Sequence, residues 1–176
     1  GNEIHNTGNS RAGIKYGMYN YCYNKGGDYI IEKNYIHDMN GNTTQYGIYH
    51  YNYYGTGSGD MNISYNRIVM KNLTTSAYGI YTYGYLCSIT GKYNSVYNVI
   101  DMEKPSGSAA YVYGYYNMGA YYSTRFTGVK IDNNYIRIKS DAYAYGMYNY
   151  IYYNSSFTEA PSISTNILDI QINNAL

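Results

Sequence analysis

The residues in this sequence that are best suited to carry out chemistry are charged side chains at one position of a repeating element. An Asn-x-Ile element recurs along the chain at steps of 32, 32, 32, 36 and 32 residues, with Leu replacing Ile in the last copy. The positions that directly follow this Ile or Leu are His5, His37, Val69, Asp101, Arg137 and Asp169. If copies stack about 4.8 Å apart, the last three lie within roughly 5 to 10 Å of one another. Such a carboxylate and arginine cluster is the kind of group that cleaves polysaccharides.

A simpler interpretation of this mixed column is a solvated edge of a sheet, and we favour it. The sequence contains no Gly-rich phosphate loop, nucleophile elbow or His/Cys set with metal-ligand spacing. Cys22 and Cys87 fall two copies of the repeat apart. That spacing places their backbones about 10 Å apart, beyond the ~7 Å limit for a disulfide, so both are expected to be free. We therefore expect no catalytic residue, no metal and no cofactor.

Tyrosine, with 31 of 176 residues, supplies the second set of candidates. One predicted column contains Tyr19, Tyr49, Tyr81, Tyr113 and Tyr148, and a second, two residues further on, contains Tyr21, Tyr51, Tyr83, Tyr115 and Tyr150. Because these positions alternate with apolar ones, they are expected to face outward. The rings either stack along the coils and do nothing else, or they form a contact surface for another copy or for a polysaccharide.

Asparagine supplies a third column. It consists of Asn2, Asn34, Asn66, Asn98, Asn134 and Asn166. Side-chain amides stacked at a corner satisfy backbone groups that a turn leaves unpaired, so this column is interpreted as a structural ladder.

These columns require elements that place equivalent residues above one another. Tyr, Asn and Gly together make 72 of 176 residues, which suits strands and turns and not helices. Each period contains three short strand-like segments, which favours a three-sided parallel β-helix (β-solenoid) over a propeller. We predict one all-β domain over residues 1–176, with about five and a half coils of about 32 residues. The repeats are 1–31, 32–63, 64–95, 96–131, 132–163 and a partial 164–176.

The alignment of the three segments fixes a register. Ile4, Ile36, Ile68, Ile100, Ile136 and Leu168 form a predicted inward column in the first segment. In the third segment the column is Ile31, Ile63, Ser95, Ile131 and Ile163. In the second segment, Val112 is aligned with Ile80, because it follows Ile100 by 12 residues as Ile80 follows Ile68. This alignment places the four surplus residues of the fourth coil around Met118 to Arg125.

Two stretches carry a family resemblance: NYIHDMNGNTTQYGIYHYN and NRIVMKNLTTSAYGIYTYG. They resemble the right-handed parallel β-helix repeats of bacterial secreted and surface proteins, and the similarity extends over nearly the whole chain. The resemblance implies the fold and its right-handed coil. It leaves function open, since that family includes polysaccharide lyases, epimerases, phage tailspikes and adhesive surface repeats.

Composition also bounds the partners. The net charge is +1 and 13% of residues are charged, so neither nucleic acid nor an anionic membrane surface is an expected partner. No apolar run approaches the ~20 residues of a membrane span. The first and last residues carry the same strand pattern, which suggests a piece of a longer repeat protein or subunits that pair end to end.

The leading hypothesis from the sequence is an extracellular structural protein. It would be a filament subunit that self-associates, or a segment of a surface adhesin. The alternative is a carbohydrate-binding or carbohydrate-cleaving β-helix.

Overall fold

The structure is a computed structural model, and every strand pairing it contains is parallel. It describes residues 1–5, 13–23, 27–39, 42–54, 56–57, 59–89, 91–105, 110–121, 125–141, 143–151 and 156–172. Within these residues the chain forms nineteen strands and no helix. The strands fall into three main sheets and one short sheet.

The three main sheets form the sides of the coil. Sheet 1 contains β1 (Glu3–His5), β4 (Tyr35–His37), β8 (Arg67–Met70), β12 (Val99–Lys104), β16 (Tyr135–Ser140) and β19 (Ile167–Ile172). Sheet 2 contains β2 (Lys15–Tyr23), β5 (Gln45–Tyr53), β9 (Ala77–Tyr85), β13 (Val112–Tyr121) and β17 (Ala144–Ile151). Sheet 3 contains β3 (Tyr29–Glu32), β7 (Met61–Ser64), β11 (Lys92–Val96) and β15 (Gly128–Asp132).

A short fourth sheet lies in the connection from sheet 2 to sheet 3. Its strands are β6 (Thr56–Gly57), β10 (Ser88–Ile89), β14 (Arg125–Phe126) and β18 (Ser156–Phe157). The chain therefore passes through sheets 1, 2, the short sheet and 3 before it returns to sheet 1 one coil further on. This confirms the predicted three-sided parallel β-solenoid. The described strands form about four complete coils between partial ones, fewer than the five and a half that the sequence predicts.

The core consists of inward apolar columns, as alternation along a strand requires. Ile36, Ile68 and Ile136 pair in register with their neighbours in sheet 1 and have no exposed surface. In sheet 3, Ile63 pairs with Ser95, so the predicted column and its polar interruption are both confirmed. Both cysteines are free, as predicted, and the structure also shows that both are buried. Stacking identical residues lets each isoleucine fill the same space in every coil.

The asparagine column forms a continuous hydrogen-bonded ladder at the corner that precedes sheet 1. In each step the backbone N and the Nδ2 of one Asn both donate to Oδ1 of the Asn in the next coil, as Asn66 does to Asn98 at 3.0 Å each. Nδ2 of Asn98 also donates to the carbonyl oxygen of Ile63 at 2.9 Å. The residue before the Asn has a left-handed backbone, with φ 57° at both Tyr65 and Tyr97. The side-chain amides thus hydrogen-bond to backbone groups of this turn, which would otherwise lack hydrogen-bond partners.

The predicted register of the fourth coil in sheet 2 is wrong. Tyr115, and not Val112, pairs with Ile80, and Val112 pairs with Ala77. The offset between coils therefore rises from 32 residues at Ile100 to 35 at Val112, which places three surplus residues before β13. The sequence-based position around Met118 to Arg125 is thus wrong for most of the surplus, and residues 122–124 lie outside the described part of the chain.

Glycine stacking explains the observed register. A Cβ on Gly79 would lie 2.6 Å from both the carbonyl oxygen of Gly114 and Cγ2 of Ile100. Only another glycine therefore fits at this level of each coil, and Gly114 must lie beside Gly79. The shared motif is Tyr-Gly-x-Tyr, which begins at Tyr113 in the fourth coil.

Candidate functional site: the tyrosine face of sheet 2

The tyrosine face is the outer surface of sheet 2, and it depends on a local change in strand alternation. In β5, Gly47 and Ile48 are both buried, while Tyr46 and Tyr49 on either side of them are partly exposed. Simple alternation would have turned Tyr46 inward, because it lies two residues before Ile48. The same burial pattern recurs in β9. Each Tyr-Gly-x-Tyr motif therefore puts two tyrosines on the outside of the coil.

The first tyrosines of the motif form one stacked column, which we call column 1. It runs through Tyr16, Tyr46, Tyr78, Tyr113 and Tyr145. Successive ring centroids lie 5.2, 4.7, 5.1 and 4.9 Å apart, and ring planes differ by 3° to 14°. These are near-parallel stacks that extend through five consecutive strands.

The second tyrosines of the motif form column 2. It runs through Tyr19, Tyr49, Tyr81, Tyr116 and Tyr148, with centroid separations of 5.2, 4.9, 5.0 and 4.9 Å. Rings of column 1 meet rings of column 2 edge to face, as Tyr46 meets Tyr49 at 5.1 Å and 88°. The two columns together form a herringbone of aromatic rings along the solenoid axis. Both the stacked and the edge-to-face contacts are favourable arrangements of aromatic quadrupoles.

This herringbone determines what the surface offers to a ligand. Each interior ring has its two faces covered by the equivalent rings of the neighbouring coils. Sugar rings bind aromatic side chains through open ring faces, whereas this surface presents ring edges and hydroxyl groups. The arrangement therefore supports cohesion between coils better than stacking of a flat polysaccharide.

The structure redistributes the predicted tyrosine columns. Tyr19, Tyr49, Tyr81 and Tyr148 lie in one column as predicted, but Tyr116 replaces Tyr113, which belongs to column 1. Tyr115 was predicted to face outward and is instead fully buried. Its hydroxyl contacts the hydroxyl of Tyr93 inside the coil. The change follows from the corrected register, since Tyr115 takes the inward place of Ile80.

A third, looser column lies next to the herringbone. Tyr21, Tyr51 and Tyr83 contact one another edge to face, at 5.3 and 4.8 Å. Tyr83 then pairs with Met118, so the predicted continuation to Tyr115 is wrong. Tyr150, the last predicted member, packs against Tyr148 of its own strand at 6.2 Å.

Column 1 was not predicted, although its signal is present in the sequence. Tyr-Gly-x-Tyr occurs in all five coils, and its first residue is always the column 1 tyrosine. Simple alternation hides this signal, because it places the first tyrosine of each motif on the same inner side as the buried residue two positions later.

Burial changes the acidity of these phenols. Desolvation, followed by the proximity of other tyrosines, raises the pKa of Tyr49 and Tyr113 to about 12. The pKa values of Tyr46 and Tyr81 are raised further, for the same reasons. Burial thus favours the neutral phenol at these four positions of the packed columns.

The charged column on sheet 1 is a self-contained ion network. The carboxylate of Asp101 accepts hydrogen bonds from Arg137 at 3.0 and 2.7 Å and from Lys71 at 2.7 Å. Partial burial alone would raise the pKa of Asp101, but the hydrogen bonds from Arg137 and Lys71 outweigh it and lower the pKa. Asp169 pairs across the backbone with Arg137 and accepts from Gln171 at 3.2 Å. The carboxylate of Asp101 is therefore ionised and hydrogen-bonded to two cations, so it is poorly suited to donate a proton.

The inner side of sheet 2 carries polar groups that the sequence analysis did not identify. His50 is 1% exposed, and its Nδ1 lies 3.0 Å from Nδ2 of Asn20. In the next coils, Thr82 donates to Oδ1 of Asn117 at 2.6 Å. Burial lowers the pKa of His50 to about 4. This polar row lies inside the coil and is separate from the tyrosine face.

Comparisons with protein-family models, with curated proteins and with solved structures find no match to this chain. Over the part of the chain that the structure describes, no helix is long and apolar enough to cross a membrane. In those same residues, no cluster of three or more His, Cys, Asp or Glu could hold a metal ion.

Proposed function

We propose that this chain is an extracellular structural solenoid, a subunit of a filament or a segment of a surface adhesin, and that it is not an enzyme. The observation that carries the proposal is the herringbone of columns 1 and 2. Ten tyrosines on the outer side of sheet 2 each stack on an equivalent tyrosine one coil away. This surface therefore holds the coils together along the axis.

The energetic scale of this cohesion supports a structural role. Each aromatic pair contributes about 0.5–1.5 kcal/mol beyond burial, and columns 1 and 2 contain eight stacked pairs. The asparagine ladder adds two hydrogen bonds per coil step at the corner that precedes sheet 1. Both features repeat with every coil, so they strengthen the stack in proportion to its length.

The ion network supports the non-catalytic part of the proposal. A general acid must release a proton in the working pH range, and a carboxylate held by two cations does not. The carbohydrate alternative has weaker support, because the interior rings of the herringbone have no open face.

Growth of the solenoid by a further coil is supported by the backbone edge of β19. Backbone N of Ile167 donates to the carbonyl oxygen of Asn134 at 2.8 Å, so by strand alternation the N–H groups of Leu168 and Ile170 point away from β16. Leu168 and Ile170 are also 48% and 37% exposed. This edge has the geometry to accept one further parallel strand, from the same polypeptide or from a second copy.

Electron microscopy and sedimentation velocity over a concentration series test the filament form of the proposal. We expect rods that lengthen with concentration. Ile170→Pro removes an outward N–H without touching the bonds to β16, so it should abolish growth and leave the earlier coils folded by circular dichroism. The matched control is Ile170→Ala, which keeps the N–H and should still assemble. A protein of constant size at every concentration would contradict the filament form.

A further inference from the structure

Columns 1 and 2 are continuous arrays of phenol rings in contact. Phenols so placed can react with one another as well as hold the coils together. The interior rings are partly exposed to solvent, as the Tyr49 and Tyr81 positions show. Parallel rings place equivalent atoms at about the centroid separation, which is 4.9 Å for Tyr49 and Tyr81. The carbons ortho to the two hydroxyl groups are therefore neighbours in every coil step.

We propose that columns 1 and 2 form a site for oxidative cross-linking, in which a peroxide-dependent oxidant joins tyrosines of successive coils as dityrosine. The products would be links within one chain, between tyrosines 30 to 35 residues apart in sequence. They would convert a non-covalent stack of coils into a covalent one. The inference does not rest on filament assembly, because every bond in question lies inside a single solenoid.

The chemistry balances with one peroxide per link. Each of two tyrosines gives one electron to the oxidant and one proton to solvent, which leaves two phenoxyl radicals. The radicals couple through their ortho carbons, and the two ortho hydrogens then move to the oxygens, which restores both phenols. The two electrons and two protons reduce one hydrogen peroxide to two waters, with a haem peroxidase as the electron carrier.

Stacking favours coupling inside the column over loss of the radical. An electron passes readily between rings in contact, so a radical formed on an accessible ring is shared with its stacked neighbours. Two oxidation events anywhere in one column can then end on adjacent rings. Tyr81 has a stacked neighbour on both sides, Tyr49 at 4.9 Å and Tyr116 at 5.0 Å, and it is therefore a central point of column 2.

The protein also contains an internal comparison. The hydroxyl groups of Tyr93 and Tyr115 are in contact, but these two residues are buried inside the coil. Proximity alone would cross-link this pair, whereas the proposal requires stacked, solvent-accessible rings. We expect no link between Tyr93 and Tyr115 while the chain is folded.

The test treats dilute protein with hydrogen peroxide and a haem peroxidase, and in parallel with photo-excited ruthenium tris-bipyridine and persulfate, a small oxidant that reaches recessed rings. Dityrosine fluorescence is measured on the monomer fraction, and linked peptides are identified by mass spectrometry. We expect Tyr49–Tyr81 and Tyr81–Tyr116 links in folded protein and their loss in denaturant. Tyr81→Phe removes two of the eight stacked phenol pairs of columns 1 and 2, so at low conversion the dityrosine in linked peptides of these two columns should fall by about a quarter.

Tyr135→Phe is the matched control, because Tyr135 lies on sheet 1 outside the columns, and it should leave the yield unchanged. Links found only between molecules would overturn the proposal. So would the same set of linked peptides in folded and denatured protein, or a Tyr81→Phe variant with an unaltered yield.

Discussion

Replacing Tyr81 with leucine tests whether ring stacking, and not apolar burial alone, stabilises the coils. Tyr81 stacks on Tyr49 and Tyr116 and meets Tyr46 and Tyr78 edge to face at 5.4 and 5.5 Å. Leucine keeps an apolar, strand-compatible side chain but removes all four aromatic contacts. At about 0.5–1.5 kcal/mol per pair, the two stacked contacts alone predict a loss of about 1–3 kcal/mol in the free energy of unfolding.

The assay is urea unfolding followed by circular dichroism, with two controls. Tyr81→Phe keeps the ring and should stay within about 0.5 kcal/mol of the original protein. Tyr19→Leu removes a single stacked contact, the one with Tyr49, so its loss in the free energy of unfolding should be about half that of Tyr81→Leu. A Tyr81→Leu variant as stable as Tyr81→Phe would refute the reasoning, because the rings would then contribute nothing beyond apolar surface.

Three further predictions concern the core, the glycine column and the buried histidine. Ile68→Asp should abolish folding, as judged by circular dichroism, because it buries an unpaired carboxylate at a position with no exposed surface. Gly79→Ala should cost about 1–3 kcal/mol in urea unfolding, since its Cβ would lie 2.6 Å from the carbonyl oxygen of Gly114, whereas Gly128→Ala meets only the side chain of Glu159 and should cost less. His50 has a folded pKa of about 4 against 6.5 when unfolded. Its contribution to the free energy of unfolding is therefore complete above pH 6.5 and is lost, by roughly 3 kcal/mol, as the pH falls towards 4. A His50→Gln variant whose stability keeps the same slope over that pH window would contradict this assignment.

The coil architecture was predictable because its determinants are periodic. An inward isoleucine and a corner asparagine recur at a fixed step, and residues such as Ile68 and Asn66 have only one place in a coil where they fit. Ser95 interrupts the isoleucine column of sheet 3, but its predicted register is correct. The repeating residues before and after it in the chain were enough to fix the alignment.

The tyrosine face was less predictable because alternation fails at the glycine. Tyr46 lies two residues from an inward isoleucine and still faces outward, which no period-2 pattern indicates. In the fourth coil the inward residue is itself a tyrosine, Tyr115, so residue type could not separate the inner from the outer face. The decisive constraint was the close approach between Gly79 and Gly114, which depends on three-dimensional stacking.

The most direct test of the central claim is a spectrophotometric titration of the tyrosines, with circular dichroism recorded on the same samples. The folded pKa of Tyr49 and Tyr113 is about 12, against 10 in the unfolded chain, so their contribution to stability is complete below pH 10 and is lost as the pH rises towards 12. We predict a late class of tyrosines that ionises together with the loss of β-structure. Ionisation of every tyrosine near pH 10, with the circular dichroism spectrum unchanged, would contradict the claim that packed tyrosine columns hold the coils together.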